Sequence, residues 1–501
     1  LNSPRPVYLD YAATTPVDPR VAAIMSACLS EGGAFGNPSS AHVYGAEADA
    51  RVRAARAEVA ALIGATADEI VFTSGATESN NLGVLGYARA NADRGRHLVS
   101  VRTEHKSVLD ALRRLEREGF TVTWLTPSAA GVVAPAALAA ALRPDTLLAS
   151  VMHANNETGV LQDIASLAAV CRERGVAFHT DAAQAAGKLP LDVHALGPDF
   201  LAFTAHKLYG PKGVGALYVR HGARASLQPL TFGGGQERGL RPGTLPTHQL
   251  AGFGAACEIA RRELGAESSR LTLLGERLWA GLAALGGAHL NGASAPRLPG
   301  ILNVSFAGVQ GESLLAGLTS LALSTGAACD SDSPEPSYVL RALGRDRQLA
   351  ESSLRFSLGR YTCEADVDFA IEAVRQVLAR LRALSPGSVG DLPSAWRPAD
   401  AGGTTRVVSG EAGGPGEDSW VRFQLLVAGD IVKDARFKAF GCPHTMDTAA
   451  WICSQLRGRS RTALIPGTPK EWAHHQGVPV EKLGRLFAIE DALRACLAQW
   501  P

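Results

Sequence analysis

Polar side chains of the kind that do chemistry stand where short apolar runs of this sequence end. Thr77 follows EIVFTSG, His105 follows HLVSV, and Asn156 follows LLASVM. Asp181 and Gln184 lie in VAFHTDAAQ, and Thr204, His206 and Lys207 in FLAFTAHK. A carboxylate, an imidazole and a lysine brought to one rim are the parts of a pyridoxal 5'-phosphate site. The lysine forms a Schiff base, and an aspartate paired with the pyridinium nitrogen makes the ring an electron sink. Gly75-Ala76-Thr77 is a small-residue turn opening a helix, where free backbone N–H groups suit a phosphate, although such a turn also serves as an ordinary connection. Spacing leaves open which of Lys188, Lys207 and Lys212 takes the covalent role, since each also reads as a surface charge.

A second candidate is Cys329, within STGAACDSDSPEPSYVLRAL (324–343). Small residues, aspartates, serines and prolines favour a loop, and the helix-like YVLRAL begins only after Pro336. A thiol there suits a nucleophile that must travel, whereas most lone cysteines are buried and inert. The sequence has eight cysteines and no C-x-x-C pair, which argues against a zinc ribbon or a thioredoxin-type site and for an intracellular, reducing home.

These residues need a frame, and the apolar periodicity supplies one. A helix is expected over 46–63, where Val52, Ala55, Val59, Leu62 and Ile63 recur at helical spacing before Gly64. Strand-like runs at 69–75, 97–101, 121–125, 147–152, 176–184 and 200–207 alternate with helical ones such as 107–118. That alternation predicts an α/β protein with a mainly parallel sheet, whose ligands bind beyond the carboxyl ends of the strands. From about Arg261 the pattern changes: a helical run to about Leu285, ILNVSF, the Cys329 loop, SLRFSLGRY and a helix over 365–384 suggest a smaller α+β domain. Residues 386–416 are rich in Gly, Pro and Ser and read as a linker, with a separate module over 417–501. Acidic and basic residues nearly cancel, 48 against 49, so no nucleic-acid or membrane surface is indicated. The uncharged stretch 313–329 is too short and polar to span a bilayer, and LNSPRPVYLDYAATTP lacks the pattern of a secretory signal.

The segments YLDYAATTPVDPRV, FGNPSSAH, EIVFTSGATESNNL, TEHKSVLD, HANNETGVLQDI, HTDAAQAAGKLPLD, AHKLYGPKGVGALYVR, GGGQERGLRPGTLP, EPSYVLRALG and RFSLGR resemble the group I cysteine desulfurases. These are pyridoxal-phosphate enzymes of the aminotransferase class V kind. The resemblance covers residues 7 to about 385 and implies an aminotransferase fold type I, with a large domain over about 15–260 and a small one from 1–14 and 261–385. It also implies a homodimer. Lys207 in AHKLYGPKG is then the Schiff-base lysine and proton shuttle, Asp181 the partner of the ring nitrogen, and Gln184 that of the ring hydroxyl. His105 stacks on the ring and assists proton transfer. Ala76, Thr77, Thr204 and His206 hold the phosphate, joined by Thr244 of RPGTLP from the second subunit. Asn156 and Arg355 hold the substrate carboxylate, a task that suits a guanidinium fork. The implied reaction converts L-cysteine to L-alanine and leaves a persulfide on Cys329 for an acceptor, either an iron–sulfur scaffold or another thiolation protein. The loop departs from the family's Ser-Ala-Cys-Thr-Ser-Ala: Asp330 and Asp332 flank the thiol, where negative charge disfavours the thiolate.

The segments IVKDARFKAFGC and EKLGRLFAIEDAL resemble, more weakly, the U-type iron–sulfur scaffolds. Of the three cysteines and one aspartate that such a cluster site needs, Cys442 alone has a counterpart. Glu417 and Ser419 fall near two ligand positions, with Asp418 adjacent to the latter, and Gly484-Arg485 replaces the final pair. No metal site is expected, since Cys442 with His444 supplies too few ligands. The module reads as a degenerate scaffold-like domain kept for packing or docking, or as an acceptor of sulfur at Cys442. Two other readings of the whole chain stay open: a related lyase acting on selenocysteine or cysteine sulfinate, and a partner-binding platform with reduced catalysis. Cytoplasmic location follows from the cysteine usage.

Overall fold

The computed structural model describes residues 5–223, 227–325, 336–385, 405–414 and 419–500. After the short β1 (Val7–Tyr8), seven strands build the principal sheet: β2 (Ile70–Thr73), β3 (His97–Val101), β4 (Thr121–Leu125), β5 (Thr146–Ser150), β6 (Ala177–Asp181), β7 (Phe200–Thr204) and β8 (Gly215–Val219). Their order is β2-β8-β7-β6-β5-β3-β4. Only β8 runs against its neighbours, so β3 to β7 deliver their carboxyl ends to one rim. Six of the seven strands are buried along their length. This is why they read as continuous apolar runs rather than alternating ones. One face is covered by the helices Val43–Leu62 and Thr247–Ala283, the other by Lys106–Arg117 and Ile164–Glu173.

The helical run expected from Arg261 begins earlier. Thr247–Ala283 is one unbroken helix whose first half packs in the principal core through Leu250, Phe253 and Ala256. Its second half packs through Leu271, Leu274, Leu278 and Leu282 in another core. That second core lies on a three-stranded antiparallel sheet of β9 (Ala288–Leu290), β10 (Ile301–Phe306) and β12 (Ser353–Ser357), with the helix Glu364–Leu384 against it. β1 pairs in parallel with β11 (Leu321–Ala322), so the N-terminus joins this part.

The C-terminal part has its own core around Trp472, Phe423 and Leu493. A three-stranded meander, β13 (Thr405–Gly414), β14 (Ser419–Ala428) and β15 (Ile431–Phe440), packs against the helices Pro443–Leu456 and Phe487–Gln499, with Pro469–Gln476 beside them. β13 corrects the linker reading over residues 405–414; the rest of 386–416 lies outside the described residues. Gly410 is a strand position under a close helix: a Cβ on it would stand 2.3 Å from Ala492 O and from Cys496 N. Glycine in a strand marks close backbone approach as readily as flexibility. The seam with the rest of the chain includes Ser313 Oγ donating to Gly441 O at 2.6 Å and Lys482 Nζ paired with Glu312 at 2.5 Å.

Candidate active site

At the rim where β3 to β7 end lies a cavity of about 540 Å³. It gathers Ala76, Thr77, His105, Asn156, Asp181, Gln184, Thr204, His206 and Lys207, the expected rim residues, together with Lys212. Lys188 stands behind this wall, donating to Gln184 Oε1 at 3.1 Å. Thr244 is exposed and Arg355 sits behind Asn156; neither lines the cavity. Cys329, with Asp330 and Asp332, lies outside the described residues.

Each wall follows from local structure. β2 runs into Gly75, whose φ of +156° is one that residues with a side chain rarely adopt, and the helix Ala76–Asn81 starts directly after it. β6 ends at Asp181, whose Oδ1 accepts from the backbone of Ala183 at 2.8 Å and whose Oδ2 accepts from Asn80 at 2.7 Å. β7 ends at Thr204 and passes into a single 3-10 turn bearing His206 and Lys207. The N-terminal segment closes the cavity from above. Ala12 O accepts from Gln184 Nε2 at 2.8 Å, Thr14 Oγ1 lies 3.0 Å from His206 Nδ1, and Thr15 N donates to His206 O at 2.9 Å. YLDYAATTP thus contributes Ala13 and Thr14 to the lining.

Burial sets the protonation of the wall. It lowers His206 to about 4, with Lys207, Lys212 and Lys188 adding to the shift. It lowers His105 as well, against the pull of Asp181. Lys188 falls to about 7, through burial and then the neighbouring Lys207. Glu104, fully buried beneath His105, is pushed well above the ordinary carboxyl range by burial. Its Oε1 accepts from Met152 N at 2.5 Å and its Oε2 has no partner among the described residues.

Arg355 holds the neighbourhood together rather than facing the cavity. Its guanidinium donates to Asp10 Oδ1 at 2.7 Å and to Asn156 O at 2.9 Å, and its backbone N–H donates to Ser324 O at 2.7 Å. Ser337 Oγ donates to Glu157, and Tyr338 Oη to Glu104 O at 2.8 Å. Residues on both sides of the 326–335 stretch are therefore tied to the walls of the cavity.

Residues 7–369 match the family described as aminotransferase class V. A cysteine desulfurase IscS of Pectobacterium atrosepticum is 54% identical over 382 residues, which is 76% of this chain and 95% of that protein. The chain belongs to the cysteine desulfurase family. The IscS of Shewanella baltica is 52% identical over the same share of both chains. Among solved structures, a NifS-like protein superposes with a TM-score of 0.70 at 36% identity, covering 75% of this chain and all of that one. A structure described as SspA in complex with cysteine gives 0.65 at 38% identity, covering 71% of this chain and all of that one. Pyridoxal 5'-phosphate is the cofactor of this desulfurase family, and the cavity suits it. It offers a lysine amine, an anchored carboxylate, hydroxyl groups, and a buried Asn156 Oδ1 without a partner among the described residues. Its volume lies in the range of cofactor and ligand sites.

Sequence reasoning missed Asn80, Ser107 and Glu104. A signal for Asn80 existed: it stands three residues after Thr77, on the same face of its helix. Among the described residues no helix is long and apolar enough to cross a membrane.

Proposed function

We propose that this chain is a pyridoxal-phosphate-dependent cysteine desulfurase that takes sulfur from L-cysteine onto Cys329 and releases L-alanine. The observation that carries the reading is the convergence of Lys207, Asp181 and His105 in one cavity of a chain 54% identical to a cysteine desulfurase.

Lys207 would hold the cofactor covalently, and Ala76, Thr77, Thr204 and His206 would hold its phosphate. Asp181 would face the ring nitrogen, Gln184 the ring oxygen, and His105 one ring face. The bound cofactor supplies an electron sink that weakens the bond between the substrate's β-carbon and sulfur. Asp181 serves as a fixed anion, its two oxygens oriented by Ala183 and Asn80. Lys207 moves the proton at the substrate α-carbon. Asn156 receives the substrate carboxylate, with Arg355 behind it fixing the Asn156 backbone. The Cys329 thiolate takes the sulfur: a sulfur–sulfur bond forms, the carbon–sulfur bond breaks, and the carbon left behind is protonated to give alanine.

A homodimer fits the same reading. Thr244 is exposed on one chain, available to the phosphate site of a second. Phe35, Val43, Tyr44 and Phe232 are exposed apolar side chains, Phe232 at 79%, of the kind a partner covers. The acceptor of the persulfide is an iron–sulfur scaffold or another thiolation protein. The seven described cysteines are all free thiols, in keeping with a reducing cytoplasm. The C-terminal module is a degenerate scaffold-like domain that docks against the catalytic part. Cys442 is fully buried, its sulfur 3.5 Å from Thr445 Oγ1. That burial favours a packing role for Cys442.

The test measures alanine and persulfide from L-cysteine with wild type and Cys329→Ala. Both products are expected from wild type and neither in quantity from the variant. Sulfur release undiminished in Cys329→Ala would point to a related lyase instead. A purified protein without the cofactor's absorption band would point to a binding platform.

A further inference from the structure

His105 caps the helix Lys106–Arg117 with a ring nitrogen. Its Nδ1 accepts from the backbone N–H of Ser107 at 3.2 Å. A backbone N–H only donates, so Nδ1 must carry its lone pair. Ser107 Oγ lies 2.8 Å from the same nitrogen, and Asn80 sets the direction of that bond. The Asn80 amide nitrogen donates to Ser107 Oγ at 2.9 Å and to Asp181 Oδ2 at 2.7 Å. Turning the amide over would face its oxygen to a carboxylate oxygen. Ser107 Oγ therefore accepts a hydrogen bond from Asn80 and donates its own O–H to His105 Nδ1. All of Asn80, Ser107 and Asp181 are buried.

We propose that the Asp181–Asn80–Ser107 chain holds His105 as the neutral tautomer with its proton on Nε2, making His105 a hydrogen-bond donor to the cavity rather than a carrier of protons. Asn80 and Ser107 are then positioning residues, and proton movement at the substrate carbon rests with Lys207. The surroundings agree. Burial lowers the affinity of His105 for a second proton, Lys207 and Lys106 lower it further, and Asp181 and Asp110 oppose them. The partial positive charge of a helix start also disfavours an imidazolium. With Nε2 protonated the remaining lone pair is on Nδ1, where Ser107 engages it, and a neutral imidazole is far too weak an acid to give up the Nε2 proton. This replaces the expectation that His105 assists proton transfer, and it rests on the cavity being the active site.

The experiment uses full-length holoenzyme labelled with nitrogen-15 histidine, the His105 ring signals being assigned by their loss in His105→Gln. Wild type is expected to show a protonated Nε2 and an accepting Nδ1, unchanged between about pH 6 and 8, where an ordinary histidine titrates. Ser107→Ala removes one donor to Nδ1. His105 should then titrate in that window, and kcat/KM should fall about tenfold from pH 8 to pH 6, since one unit in pKa is a factor of ten. Ser107→Thr should restore both. A wild-type His105 that titrates in the window, or carries its proton on Nδ1, overturns the proposal. A Ser107→Ala protein indistinguishable from wild type overturns the role of the chain. The ring signals do not depend on turnover, so failure to form alanine would sink the functional reading and leave this one standing.

Discussion

Arg355→Lys separates charge from geometry at the back of the active site. Arg355 is 3% exposed. Its planar fork reaches Asp10 at 2.7 Å and Asn156 O at 2.9 Å at once. A lysine keeps the positive charge, but one ammonium on a flexible stem cannot span both partners in the same geometry. The variant gives up one charge-assisted hydrogen bond, about 1.5–3 kcal/mol. If all of that bond serves to place Asn156 for the substrate, kcat/KM for L-cysteine falls about 10- to 150-fold, at roughly 1.4 kcal/mol per decade. Cofactor absorption should be unchanged, because Arg355 does not line the cavity. Arg355→Ala should be worse, and unstable as well. It strips the cation from Asp10, whose side chain is only 20% exposed, and breaking such a pair costs about 3–5 kcal/mol. The assay is steady-state alanine formation with cofactor occupancy read from the same samples. An Arg355→Lys enzyme within twofold of wild type at full occupancy would refute the positioning role. Loss of cofactor in step with activity would show that Arg355 supports the ring site instead.

Two further outcomes follow from burial. Glu104 has its carboxyl raised above the ordinary 4.5 in the folded chain, so its stabilising contribution is complete below that value. It is lost as pH rises through the folded pKa, by at most about 1.4 kcal/mol per pH unit. Glu104→Gln removes this dependence, and its melting temperature relative to wild type should increase from pH 5 to pH 8; a pH-independent difference would show that Glu104 is ionised in the fold. Trp472 is 1% exposed, with its indole N–H donating to Pro466 O at 2.8 Å. Trp472→Ala should cost about 3–5 kcal/mol and lower a calorimetric transition of the C-terminal module while cofactor absorbance and alanine formation persist. A single lowered transition with loss of cofactor would mean that the module and the catalytic part unfold as one.

The sequence by itself determined the elements and most of the chemistry. Buried strands such as HLVSV and FLAFT are written as apolar runs, and their alternation with amphipathic helices implies a parallel sheet with reactive residues at one rim. His105, Asp181 and Lys207 were legible as rim candidates because each stands at or just beyond the end of such a run, while the choice of Lys207 over Lys188 and Lys212 came from the family resemblance. Tertiary structure decided what a local period cannot carry. Helical and strand periodicities specify neighbours two to four residues away. Asn80, in contrast, meets Asp181 across 101 residues and Ser107 across 27, so the bonding that sets the direction of the Ser107–His105 contact has no local signature. Arg355 gives no local sign that Asp10, 345 residues away, and the Asn156 carbonyl hold its two terminal nitrogens. Gly410 reads as part of a linker, yet the helix Phe487–Gln499 lies directly on it. In each case a distant partner sets the hydrogen-bonding and packing that give a residue its role, and the folded chain alone brings that partner within reach.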